Sequence, residues 1–196
     1  MSAKQDDMQN HKGVSAMTRI AFWTIAVAGV VLAVLGGNEA MSAPDKYTVK
    51  VPNGLAFSEF KGYEDWRVVS ISQAKSLGLI EVILGNPAMI DAYRSGFPGN
   101  GKSIPDGAML AKIHWKAVDS TEAPAPTVIP GALDDVDFMV KDSKRFAASG
   151  GWGYGQFNYD AASDKFTPLG DGAKCGFACH TIVAKKDYVF TAYGKR

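Results

Sequence analysis

Two cysteines and a histidine lie together near the C-terminus, in "AKCGFACHT" (173–181). Cys175 and Cys179 are the two cysteines of the chain, and His180 follows the second directly. In Cys-x-x-Cys-His, two sulfurs form thioethers with the vinyl groups of a haem, and the next imidazole comes to lie beneath the iron. Here three residues separate the cysteines rather than two. The same residue types admit a short disulfide, a pair of free thiols or a zinc site. A disulfide closing so small a loop removes little chain entropy and makes a poor staple. Zinc asks for four ligands, or three and a water, and His114 is the one other histidine in the C-terminal three quarters of the chain. The haem reading requires the longer spacer to bulge or tighten by one residue. Gly176, directly after Cys175, is where an unusual backbone angle costs least.

The elements that must position this group are read from pattern. "DWRVVSISQA" (65–74) and "LGLIEVILG" (77–85) predict two strands. "NPAMIDAYRSG" predicts a helix capped by Asn86, opened by Pro87 and ended by Gly96, with Met89, Ile90 and Tyr93 toward the core. "IPDG" (104–107) is a turn, and "AMLAKIHWKAV" (108–118) a strand. Alternation puts Met109, Ala111, Ile113, Trp115 and Ala117 on one face of it and Leu110, Lys112, His114 and Lys116 on the other. Residues 119–134 read as a proline-rich loop, 136–140 as a strand, and "GWGYGQFNY" (151–159) as a further strand. In that last strand Trp152, Tyr154 and Gln156 share a side, while Gly153 and Gly155 leave a flat strip for something bulky. "DYVFTAYGKR" (187–196) reads as a closing strand or extended tail. No βαβ alternation occurs. The expectation is therefore a single α+β domain, mainly an antiparallel β-sheet with one or two helices.

The chain has 196 residues, 46% of them apolar, and a formal net charge of +1. That balance provides no basic field for nucleic acid. No period of solenoid or propeller length recurs. Residues 20–37, "IAFWTIAVAGVVLAVLGG", carry no charge and follow Lys12 and Arg19. They predict an N-terminal export signal or membrane anchor over 1–43, Met17 being an alternative start, with the domain at 44–196 outside the cytoplasm.

The stretches "GYEDWRVVSIS", "ILGNPAMIDAYRSG", "IPDGAMLAKIHW", "FMVKDSKRF", "GGWGYGQF" and "CGFACHTIVAKKDYVFTAYGKR" resemble, in order, the cytochrome P-460 family of periplasmic c-type haem proteins. The resemblance implies one covalently attached haem c, held by Cys175 and Cys179 with His180 as iron ligand, in a mainly antiparallel domain that is commonly a homodimer. It also implies a lysine bonded to the porphyrin edge, at the position matched by Lys112. It implies oxidation of hydroxylamine to nitric oxide or nitrous oxide at an open iron site, with electrons passed to a partner cytochrome. Relatives without the lysine bond bind nitric oxide instead, so a binding or electron-transfer protein without turnover is the alternative. On the strand face of Lys112, His114 is the candidate pocket base, with Asp134, Asp135 and Arg145 as further polar candidates. Met89, Met109 and Met139 are further candidates for the sixth iron ligand, each with an ordinary core explanation.

Overall fold

The structure is a computed structural model that describes residues 45–52 and 55–196. The N-terminal region 1–43, with its apolar segment and His11, lies outside the described residues. Among the described residues, no helix is long and apolar enough to cross a membrane.

Six strands form one sheet: β1 (Arg67–Ala74), β2 (Leu79–Gly85), β3 (Met109–Asp119), β4 (Val128–Lys141), β5 (Trp152–Asp160) and β6 (Lys165–Pro168). Each pairs antiparallel with the next, in the order of the sequence. Helix α1 (Pro87–Arg94) follows β2 and helix α2 (Gly172–His180) follows β6. Three short 3-10 segments, Lys46–Thr48, Phe57–Phe60 and Tyr63–Asp65, precede β1. The fold is thus α+β and dominated by an antiparallel sheet, as the patterning implies.

Alternation sorts the two faces. Ala111 and Ile113 of β3 join Leu84, Val136, Phe138 and Phe157 on one face, covered by Leu55, Phe57, Phe60 and Tyr63 from the N-terminal segment. Leu110 joins Val69, Ile83, Met139, Trp152 and Tyr154 on the other, covered by Met89, Ile90 and Tyr93 of α1 and by Val189. The start of α1 is tied to β3. The Asn86 side chain accepts the Met89 N–H at 3.0 Å and the Met109 N–H at 2.9 Å. One residue therefore both caps the helix and fixes where the next strand begins.

Three elements depart from expectation. β4 starts at Val128, inside the proline-rich loop, because the β3–β4 register shifts between Trp115 and Ala117, and Pro130 pairs at that irregularity. Proline is tolerated in a ladder where pairing is already broken. β6 was not expected; it is a four-residue, largely exposed edge strand with no apolar run to mark it. Residues 189–196 form no strand, so of the two readings of the C-terminus the tail holds. Lastly, the glycine strip of β5 does not face an open surface. A methyl at Gly153 would overlap the Phe146 ring, and one at Gly155 would lie 3.1 Å from Leu55. The bulky groups these glycines admit belong to the protein's own second core.

Phe57 is fully buried and meets the rings of Phe138 at 5.1 Å and Phe157 at 4.9 Å. Phe57→Ala should destabilise the fold by about 3–5 kcal/mol, read as a fall in the urea midpoint at unchanged slope.

Candidate functional site

Between the α1 face of the sheet, helix α2 and residues 189–191 lies a cavity of about 510 Å³. That volume is in the range of small-molecule and cofactor sites. Cys175, Cys179 and His180 line it from α2, and Lys112 and Asp137 line it from the sheet. The remaining wall is largely apolar and aromatic, including Leu110, Met139 and Tyr154.

The two cysteines are free and exposed. They sit at i and i+4 on a continuous helix, so their side chains lie one turn apart on the same face, with Cβ atoms about 5–6 Å from each other. The chain runs through the longer spacer as regular helix, with no bulge. Gly176 has another use. A methyl there would come within 3.0 Å of Tyr154, so the glycine lets α2 seat closely on β5. Gly172 does the same over Gln156, at 3.2 Å.

His180 is oriented by the chain itself. Its Nδ1 lies 2.6 Å from the Tyr188 carbonyl. A carbonyl only accepts, so Nδ1 carries the proton and Nε2 keeps a lone pair. Burial holds the ring's pKa below its ordinary value, against the opposing pull of the Tyr188 bond. The imidazole is thus neutral and of one tautomer, the state a metal ligand needs. Tyr154 and Phe190 flank it, at centroid distances of 5.1 and 4.9 Å.

The sheet wall is a chain of charges set by register. Glu81 pairs across the ladder with His114, His114 with Asp135, and Lys112 with Asp137. Lys112 Nζ lies 3.0 Å from Glu81 Oε1, and the Ser72 hydroxyl donates to Glu81 Oε2 at 2.7 Å. His114 Nε2 lies 3.3 Å from the same Glu81 oxygen, while Nδ1 bonds Asp135 and lies 4.0 Å from Asp137. Burial works against charge on both Glu81 and His114. Ser72, Lys112 and His114 outweigh it at Glu81 and lower its pKa. Asp135 outweighs it at His114 and raises that pKa. At Asp137 the charges of His114 and Lys112 pull the same way but do not prevail. Burial and the neighbouring Asp135 charge push its pKa up to about 6, and its Oδ1 is sealed from solvent without a hydrogen-bond partner.

The other sequence candidates fall at different places. His114 stands behind the wall and does not line the cavity; both its nitrogens face carboxylates. Asp134 pairs with Lys116 at 2.7 Å, and Arg145 with Glu59 at 2.6 Å, both away from the cavity. Met109 packs on the opposite face and Met89 is core, whereas Met139 is at once core and cavity wall. Glu81 and Asp137 were missed. The signal was there: Glu81 is a lone acid within an apolar strand, and Asp135 and Asp137 alternate opposite Lys112 and His114. Among the described residues, the His, Cys, Asp and Glu side chains close enough to share a small ion are His114, Asp135 and Asp137. The cysteines and His180 are not in that group.

Two thiols one turn apart and a neutral imidazole with its Nε2 free thus face one cavity of cofactor size. The family described as Cytochrome P460 matches residues 60–191, more than half of the chain. This chain belongs to the cytochrome P460 family. Membership supports a c-type haem protein, and a haem is the cofactor it implies. No curated protein matches the chain. The residues present fit that group: two thiols placed to form thioethers, an imidazole of fixed tautomer with Nε2 available to iron, and aromatic walls.

Asp137 also carries a pH signature. A carboxyl whose folded pKa is raised contributes stability that is complete below the unfolded value and lost as pH rises through the folded one. For Asp137 the window runs from 3.8 to about 6. Asp137→Asn should therefore become progressively more stable than the parent across that window, checked by urea midpoints measured at both ends.

Proposed function

We propose that the cavity holds one haem c, joined through Cys175 and Cys179 with His180 beneath the iron, and that the protein oxidises hydroxylamine to nitric oxide or nitrous oxide. The observation that carries this is the convergence of Cys175, Cys179, His180 and Lys112 on one cavity. When bound, the haem supplies an iron at which a small nitrogen compound binds and through which electrons leave for a partner cytochrome.

The chain's own residues divide the work. Cys175 and Cys179 present their sulfurs from adjacent turns. His180 offers Nε2 while Tyr188 keeps its proton on the far side of the ring. Removing electrons from hydroxylamine releases one proton for each electron, so the pocket needs an acceptor. Asp137 suits that role, because it lines the cavity, its Oδ1 has no partner, and its pKa of about 6 lies close to neutrality. Lys112 is half-buried and held at the wall by Glu81, where it is available for the third bond to the porphyrin edge. Leu110, Met139 and Tyr154 give the reacting region an apolar wall. The apolar stretch at 20–37 supports export to the periplasm, where such haem proteins are matured. A homodimer belongs to this reading through the family resemblance.

Intact mass and the spectrum of the reduced protein test the reading together. A mass in excess of the polypeptide by one porphyrin, with turnover of hydroxylamine, is the expected result. A colourless protein of bare polypeptide mass overturns it. Haem that binds nitric oxide without turnover makes the protein a binding member of the family. Replacing both cysteines by serine should leave haem resistant to acid extraction when Lys112 is bonded to it. Asp137→Asn should slow hydroxylamine turnover by about 10²-fold at unchanged haem content, measured by steady-state kinetics.

A further inference from the structure

Asp187 and Tyr188, two consecutive residues with side chains, have φ of 47° and 62°. L-residues other than glycine seldom occupy this region, and it persists where the surroundings over-determine it. The surroundings here are specific. The Asp187 carboxylate accepts from Lys141 Nζ at 2.6 Å and Trp152 Nε1 at 3.3 Å on Oδ1, and from the Ile104 N–H at 2.7 Å on Oδ2. Lys141 is itself buried, donates to the Gly150 carbonyl at 3.0 Å and lies over the Trp152 ring at 5.1 Å. The Tyr188 ring fills the space that a side chain on Gly150 would need. The turn is closed by backbone bonds from Asp187 to Ala184 and from Tyr188 to Val183. Its product is the position of one carbonyl, that of Tyr188, which accepts the His180 Nδ1–H at 2.6 Å.

We infer that Asp187 is a positioning residue for the axial ligand: its buried ion pair with Lys141 holds the 187–188 turn so that the Tyr188 carbonyl fixes the ring orientation, tautomer and basicity of His180. This rests on His180 being the iron ligand, but Asp187 does not touch the cavity. A hydrogen bond from Nδ1 makes Nε2 a stronger donor, which favours the ferric state. Loosening the turn therefore shifts the equilibrium toward ferrous iron.

Asp187→Ala alone would strand the Lys141 ammonium in the interior and confound positioning with folding. The two substitutions are therefore combined: Asp187→Ala in a Lys141→Met background carries neither charge and is compared with the parent protein. It should raise the ratio of ferrous to ferric haem at a fixed potential by about tenfold, and lower the iron–imidazole stretching frequency in the resonance Raman spectrum. Asp187→Asn in the same background keeps an acceptor and tolerates the left-handed backbone, and should restore most of both readouts. Unchanged potential and stretching frequency in the folded, haem-loaded Ala variant overturn the inference and leave the functional reading intact. A protein that takes up no haem overturns the functional reading. The inference is then judged on the haem-free chain by ¹⁵N NMR of His180. Loss of the protected Nδ1–H in the Ala variant supports it, and retention overturns it.

Discussion

The close seating of α2 on β5 is the constraint on which the rest of the structure depends. All three cofactor-binding candidates of the C-terminal motif ride on this one helix. They reach the cavity because the helix lies close against the strand, over Gln156 and Tyr154. Gly172 and Gly176 make that approach possible, since a methyl at either would press into β5 at 3.0–3.2 Å. β5 in turn can be approached because its other face is filled from behind, Phe146 lying over Gly153 and Leu55 over Gly155. Glycines on two elements thus set the depth of the site from both sides of one strand.

The opposite wall solves an electrostatic problem by register. Three carboxylates, Glu81, Asp135 and Asp137, face two cationic partners, Lys112 and His114. Glu81 and Asp135 take up both nitrogens of His114, and Glu81 also takes Lys112. What remains is Asp137, whose charge is unfavourable at the same place where the cavity opens. Strand pairing that satisfies the buried groups therefore leaves one carboxyl poised beside the cavity, and such imbalance is where perturbed acidities and function tend to coincide. The proximal side works the other way. Asp187 is fully partnered, and its role is to hold the backbone.

Much of this was legible in the chain. Period-two alternation in "AMLAKIHWKAV" sorted Lys112 and His114 from Ala111 and Ile113, because side-chain direction in a strand is a local property. The Asn86-Pro87 start of α1 was legible for the same reason: capping needs only neighbours in sequence. The helix through Cys175 and His180 was not, as "GAKCGFACH" has two glycines and little amphipathic pattern, and its stability comes from contact with β5. The strand at Val128 hid behind Pro130, which only a register shift in a partner strand makes acceptable.

The sequence by itself determined the chemistry available: a cysteine pair followed by histidine, a lysine on a known strand face, and an antiparallel domain to carry them. These depend on residue types and on spacing along the chain. Tertiary structure decided what each group does. The Tyr188 carbonyl that selects the His180 tautomer is held in place through Asp187 by Lys141, Trp152 and Ile104, and the carboxylates that occupy His114 and the packing that leaves Asp137 Oδ1 without a hydrogen bond come from separate strands. Desolvation and hydrogen-bond direction are properties of the packed whole, so no local pattern could have stated them.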